Sequence, residues 1–385
     1  MRKREYMANR VWVFSGRVLG TFIVGTSSII GPWFSCVQER ALQPASTPEV
    51  FYYGAGRPES KKEPNARINF LYTYESETLA LIDSIPLNGL PYEMAISANR
   101  MSIYVATLSA KGKGTDLTKI NATTKSIKWS RPSDTYRAIL FSGGELVTDG
   151  DTVYSAINGT PVLPVPDTLK LGEASLRDES IPAIVVGNNL NVLDDTLITI
   201  FIPAMRTCIG QYVPRLESGR AVSIQSAVVQ PQGRYLLAIG FYQVAANSWF
   251  FILDIATGVT VLRHRLVYSG GDIAFSREAD IAAVTDPSRA GFIESIPTLD
   301  LFDLKNISHL KRVTGLDGPQ RPGQVRFIRD DKYLVVGPPA DGASGGPVYT
   351  LRVPSLEIEQ YVLLPGADSA GFGVVAGALG TTHCW

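Results

Sequence analysis

The stretch AVVQPQGRYLLAIGFYQVAANSWFFILDIATGVTVL, residues 227–262, decides the fold. Its first apolar run, Ala227-Val228-Val229, ends in the turn Pro231-Gln232-Gly233. A second run, Tyr235-Leu236-Leu237-Ala238, follows at once. A third, Trp249-Phe250-Phe251-Ile252-Leu253, closes in Asp254 and the turn Ala256-Thr257-Gly258. A fourth, Val259-Thr260-Val261-Leu262, completes the unit. β-branched and aromatic side chains pack well on a pleated surface, and Gly, Pro, Asn and Asp supply the backbone that reverses the chain, so the stretch predicts four short strands.

The unit recurs. Aligned on the end of the first strand, copies fall at Ser97, Ser142, Val186, Gln230, Ser276 and Ile328, with gaps of 45, 44, 44, 46 and 52 residues. Four strands at this even spacing are the period of a β-propeller blade. The copies at residues 136–166 and 181–213 are the most compressed and the weakest. At the start, Val50-Phe51-Tyr52-Tyr53 reads as a second strand with no first strand before it. At the end, residues 371–376 read as a first strand with nothing after it. The two partial copies sum to one blade, which leaves no open sheet edge to aggregate. The expected fold is all-β: a seven-bladed β-propeller, its first blade completed by the C-terminal strand.

The first 36 residues differ from the rest. Arg2, Lys3, Arg4 and Arg10 make a basic start, and residues 18–30 form an uncharged, mostly apolar run. That run suits a signal peptide and falls short of the roughly 20 apolar residues of a membrane span. The expected organisation is a signal peptide or lipoprotein-type leader over 1–36, a linker over 37–49 and the propeller over 50–385. Export follows, to a periplasmic location or to a membrane tether at the N-terminus. Ser35-Cys36 resembles the end of a lipobox, which makes Cys36 the lipidation candidate, although Trp33-Phe34 departs from that pattern. The alternative is an incidental cysteine.

Composition removes several classes. Lys plus Arg and Asp plus Glu both count 36, so the basic excess of a nucleic-acid binder is absent. Three cysteines, Cys36, Cys208 and Cys384, cannot make a disulfide-rich scaffold or a four-cysteine zinc site. Of the histidines His264, His309 and His383, none stands at metal-ligand spacing from a second His or Cys except His383-Cys384, and neighbours in a strand point to opposite sides. No catalytic triad assembles, and neither a metal nor a cofactor is expected. Asp149-Gly150-Asp151 and Asp194-Asp195 read as calcium-binding or as solvated turns.

YEMAIS (92–97) with IYVA (103–106), and FILDIATG (251–258), resemble the YVTN-type repeats of the WD40-like propeller superfamily over residues 50–379. The resemblance implies a fold and leaves function open. Some related propellers are lactonases. The Gly-His and Trp-Asp signature of WD40 repeats is missing, as is the tryptophan-docking motif of quinone-binding propellers.

In such a meander the turns after the first and third strands share one face, and here they are tight. Longer segments, 54–66, 108–115, 286–298, 337–346 and 167–179, fall on the other face, and loops on a rigid scaffold carry function. The first strands start on that face and line the channel. They offer Tyr92, Glu93, Arg137, Gln225, Asp272, Gln324 and Arg326, and Arg289 lies in a neighbouring loop. These residues read either as a ligand set for a polar molecule or peptide tip, or as the ordinary polar lining of a wet channel. The expected function is non-enzymatic protein binding or scaffolding. The alternative is a lactonase- or hydrolase-like enzyme using Glu93, Asp272 and Arg137.

Overall fold

Three of the third strands end on a residue whose side chain caps the turn after it. Asp254 Oδ1 accepts from the Thr257 amide at 2.9 Å, Asn121 Oδ1 from Thr124 at 2.7 Å and Asp303 Oδ1 from Asn306 at 2.9 Å. The fourth turn residue is left-handed, as at Gly159 and Gly258 (both φ 70°) and at Lys125 (φ 57°). The side-chain cap and the left-handed residue together reverse the chain within four residues, so the third and fourth strands stay paired.

The structure is a computed structural model and describes residues 49–60, 63–97, 100–109, 115–133, 139–140, 146–148, 152–164, 175–176, 198–202, 207–220, 222–230, 233–241, 248–266, 271–286, 297–314, 316, 323–338, 347–363 and 375–381. All of them belong to the compact unit Ser46–Trp385. The leader and Cys36 lie outside the described residues, as do Cys384 and the two acidic turns at 149–151 and 194–195. No helix among the described residues is long and apolar enough to cross a membrane.

Among the described residues the strands form seven small sheets. The first holds β1 (Val50–Ser60), β2 (Glu63–Glu75) and β3 (Leu81–Leu87). The second holds β4 (Gly89–Ile96), β5 (Ser102–Ser109), β6 (Thr115–Asn121) and β7 (Ile127–Ser133). The third holds β8 (Ile139–Leu140), β9 (Leu146–Thr148), β10 (Thr152–Ser155) and β11 (Pro161–Pro164). After the short β12 (Ser175–Leu176), β13 (Ile198–Ile202) and β14 (Thr207–Tyr212) make a two-stranded fourth sheet. The fifth holds β15 (Ser223–Val229), β16 (Tyr235–Phe241), β17 (Ser248–Asp254) and β18 (Thr260–Arg265), with β12 parallel beside β15. The sixth holds β19 (Ile273–Phe275), β20 (Ile281–Asp286), β21 (Thr298–Asp303) and β22 (Ser308–Thr314). The seventh holds β23 (Gln324–Ile328), β24 (Tyr333–Gly337), β25 (Val348–Arg352) and β26 (Ile358–Val362). The last strand, β27 (Val375–Thr381), returns to pair antiparallel with β1, so the C-terminus completes the first sheet as the sequence implied, although with residues 375–381 and not with the expected 371–376.

Among the described residues, successive sheets share apolar clusters at every junction except that between the third and fourth. Tyr52 and Leu71 of the first meet Met94 and Val105 of the second. Tyr104 and Leu117 of the second meet Tyr154 and Ala156 of the third. Tyr212 of the fourth meets Leu236 and Phe251 of the fifth. Phe250 and Ile252 of the fifth meet Val284 and Phe302 of the sixth. Leu299 and Leu301 of the sixth meet Val325 and Leu334 of the seventh. Val335 and Val348 of the seventh return to Phe51, Tyr53 and Tyr74 of the first. The middle strands are therefore covered on both faces, which explains their unbroken apolar runs, while the outer β18 alternates half-buried and exposed residues. First strands of neighbouring sheets also lie side by side: β4 with β8, β15 with β19, β19 with β23, β23 with β27 and β27 with β4.

Residues 54–66 were expected as a loop, yet β1 and β2 continue as a hairpin to the pair Ser60–Glu63. Pairing of β1 with β27 ends at Gly56 and pairing of β2 with β3 ends at Asn69, so the ribbon beyond them has only its own two strands among the described residues. Gly54, Gly56, Pro58 and Pro64 suggested a break. An edge ribbon tolerates them, because a missing N–H there removes no obligatory partner.

Candidate functional site

Counted from the aligned strand ends, Glu93, Ser226, Asp272 and Gln324 hold equivalent places, four residues before Ser97, Gln230, Ser276 and Ile328. All four are buried polar residues, 5–7 % exposed. Tyr92, Arg137 and Gln225 sit one residue earlier in their repeats. The ladder slips at two of these places: between Pro91 and Glu93 in β4 and between Ile224 and Ser226 in β15, leaving Tyr92 and Gln225 without an opposite residue. Such bulges bend a strand and re-aim its side chains. The side chains of Tyr92 and Gln225 lie outside what is described, as do Arg137 and Arg289 altogether.

Three of the expected residues come together at the start of the sixth and seventh sheets. Asp272 Oδ2 accepts from the Val325 amide at 3.1 Å and from Arg326 Nη1 at 2.5 Å. Its Oδ1 accepts from the Ile273 amide at 2.9 Å. The Asp272 amide donates to Thr285 Oγ1 at 2.7 Å, and that hydroxyl donates to Gly323 O at 2.8 Å. Asp272 thus ties β19 to β23, and Gln324 lies beside Val325 on the same strand. A buried charge is stable only when paired and hydrogen-bonded, and these partners meet that condition. Bonds to two amides and a guanidinium make this carboxylate a strut between strands and a poor general base. Glu93 is buried on β4, in another part of the ring of first strands.

A second polar cluster was not foreseen. His264 on β18, Asp300 on β21 and His309 on β22 converge where the fifth and sixth sheets meet. Asp300 is fully buried, and its Oδ1 accepts from His309 Nε2 at 2.7 Å and Arg312 Nε at 2.8 Å. Its Oδ2 accepts from Arg312 Nη2 at 3.0 Å and Thr298 Oγ1 at 3.3 Å. Arg312 Nη2 also donates to His264 Nε2 at 2.7 Å. The imidazoles stack with centroids 4.4 Å apart, and Phe302 backs both. Burial alone would raise the Asp300 carboxyl; hydrogen bonds from the imidazole and guanidinium groups, with the charge of Arg312, outweigh it and hold the group below the usual carboxylate range. The two histidines are 45 residues apart, which is one repeat length. Judged as a chain spacing, 45 is too long for a ligand pair. Judged against the repeat, it sets both on outer strands of adjacent sheets, and that was the available signal.

At the opposite ends of the first strands, a cavity of about 420 Å³ lies between the seventh and first sheets, lined by Glu49, Glu77, Arg329, Lys332 and Tyr333 among others. Arg329 spans it: its amide donates to Glu49 Oε2 at 2.7 Å, Nε donates to Ser76 O at 2.7 Å, and Nη2 donates to Glu77 O. These bonds pin the junction between the seventh and first sheets on the tight-turn side.

No protein-family model matches the chain, and no curated protein matches it by sequence. Solved structures do match in shape. Hydrazine synthase of Kuenenia stuttgartiensis is similar with a TM-score of 0.50 and 15% identity, over 72% of this chain and 80% of that one. Dihydro-heme d1 dehydrogenase NirN in complex with DHE is similar with a TM-score of 0.53 and 15% identity, over 85% of this chain and 67% of that one. Both are β-propeller proteins. The fold is that of a β-propeller. At this identity the likeness speaks of fold and leaves activity aside. In propeller terms, Asp272 and Arg326 belong to the strands around the central channel, and the His264–Asp300–His309 cluster belongs to outer strands of adjacent blades.

Proposed function

We propose that the chain is a seven-bladed propeller that binds a protein or peptide partner at its channel mouth and loop-rich face, in an exported compartment and without turning over a substrate. Support for seven blades comes from the seven sheets of the described residues and from their packing in chain order at six of the junctions. Support for the leader reading is confined to the sequence; mass spectrometry of the mature N-terminus tests cleavage and the lipidation of Cys36.

The observation that carries the binding reading is the Asp272 strut. The hydrolase alternative needs a carboxylate free to take a proton or attack a carbonyl, and Asp272 gives its oxygens to Ile273, Val325 and Arg326. What the repeat offers instead is a ring of polar first-strand positions on a stiff frame, some re-aimed by bulges. Such a ring can recognise a polar tip by hydrogen bonds. The wild-type protein should capture a defined partner from its native envelope, and Arg137→Ala, Gln225→Ala and Arg289→Ala should each weaken capture with the melting temperature unchanged. Unaltered capture by all three variants sinks the assignment of this face. Lactone or ester turnover that disappears in Glu93→Gln would instead establish the hydrolase.

A further inference from the structure

The rim cluster has the donor set of a cation site. One ring nitrogen of His264, one of His309 and an Asp300 oxygen all lie within 4.8 Å of one another. We propose that His264, Asp300 and His309 bind a divalent first-row transition ion, which fastens the outer strands of two neighbouring blades. Two imidazoles and a carboxylate suit zinc, cobalt, nickel or ferrous iron.

The geometry is close to what an ion needs. Asp300 Oδ1 stands 2.7 Å from His309 Nε2 and 3.6 Å from His264 Nε2. Donor atoms held roughly 2.0–2.2 Å from one ion sit about 3–3.5 Å apart, so small rotations complete the set. The ring centroids are 4.4 Å apart with an interplanar angle of 23°. Two imidazoles bound side by side on one ion place their centroids about 4.5 Å apart at a right angle and about 5.2 Å apart at the tetrahedral angle, given the usual metal–nitrogen distance, so the rings need at most a small opening.

The protonation pattern also fits. His264 Nε2 accepts from Arg312, so its lone pair already points into the cluster. His309 Nε2 lies against the ionised Asp300 and donates to it; on coordination that proton shifts to Nδ1 or leaves to solvent. The histidine side chains are 22% and 31% exposed, which gives an ion a route in and leaves room for water to fill its shell. On coordination Arg312 gives up both its Nε bond to Oδ1 and its Nη2 bond to His264 Nε2, and keeps Nη2 on Oδ2, beside Thr298 Oγ1. Hydrogen bonds to the far oxygen of a ligating carboxylate orient it and tune its affinity. The guanidinium charge opposes the ion, so Arg312 sets an upper limit on binding.

The test is titration of the metal-free, full-length protein with Co²⁺, read by visible absorption, and with Zn²⁺, read by calorimetry and thermal melting. One ion should bind per chain, and Zn²⁺ should raise the melting temperature. His264→Gln and His309→Gln should each weaken binding by roughly tenfold or more, as loss of a ligand does. The double variant should lose both the cobalt spectrum and the thermal shift, and Arg312→Met should bind more tightly than wild type. Each histidine is partly exposed, so the single variants remain folded, which the metal-free melt verifies. Absence of a bound ion in both wild type and Arg312→Met, or binding unchanged in the double variant, overturns the proposal. The second result would place the ion elsewhere on the chain, as at His383-Cys384.

Discussion

Asp272 and Asp300 are both buried aspartates at a junction between sheets, and they are satisfied in opposite ways. Asp272, 6% exposed, takes the amides of Ile273 and Val325 together with Arg326. Asp300, 0% exposed, takes only side chains: His309, Arg312 and Thr298. An amide in a strand cannot leave without undoing the ladder. An imidazole or guanidinium can rotate away and be replaced. Burial and charge alone therefore do not separate a strut from a site; the nature of the partners does. By that criterion the residue singled out from sequence, Asp272, is architecture, and the one passed over, Asp300, can exchange partners.

The largest expected effect is at Asp300. Asp300→Ala leaves Arg312 partly buried without its carboxylate, and removing one member of a buried pair costs about 3–5 kcal/mol. Asp272→Ala should cost at most a similar amount, because Arg326 and two amides lose an acceptor, while Arg326 retains Val325 O as Arg312 retains Arg265 O. Urea unfolding of both variants measures the order, and a reversed order breaks the comparison.

Acid unfolding sharpens it further. The Asp300 carboxyl is held below its unfolded value, which is about 3.9. Its contribution is thus fully present above that value and is lost as pH falls through the lower, folded one. Asp254, Asp280 and Asp303 are depressed as well and are common to both proteins. The difference in stability between wild type and Asp300→Asn should therefore shrink on acidification below about pH 4. A gap that stays constant down to the acid transition would mean that the rim network does not hold the carboxylate ionised.

The fold was legible because its code is local and repeated. Asp254, Asn121 and Asp303 cap their own turns, and the middle strands carry apolar residues on both faces, so spacing alone revealed the unit. The closure was legible because Val50-Phe51-Tyr52-Tyr53 lacked a partner that the C-terminus supplied. The ribbon beyond Gly56 was not legible, since glycine and proline signal a break whether or not a strand continues past them. The rim cluster was hidden for a different reason. It joins side chains from two sheets, and no local pattern marks His264, Asp300 or His309; only the coincidence of their separation with the repeat length does.

Turns provide the smallest and cleanest check on the idea that partners, and not burial, define a junction. Gly159 and Gly258 occupy the same turn position with the same φ of 70°. A Cβ on Gly159 would lie 2.7 Å from Cδ2 of Trp129, which belongs to the neighbouring second sheet, whereas a Cβ on Gly258 would meet nothing within 4 Å. Alanine at either position bears the left-handed strain, about 1–2 kcal/mol. Only Gly159→Ala must also displace the indole, which adds about 1–3 kcal/mol of overpacking. The difference between the two melts isolates the contact between sheets from the strain within one. Equal losses would show that Trp129 yields freely, and that the second and third sheets are joined by their apolar cores, with no tight fit at the turn.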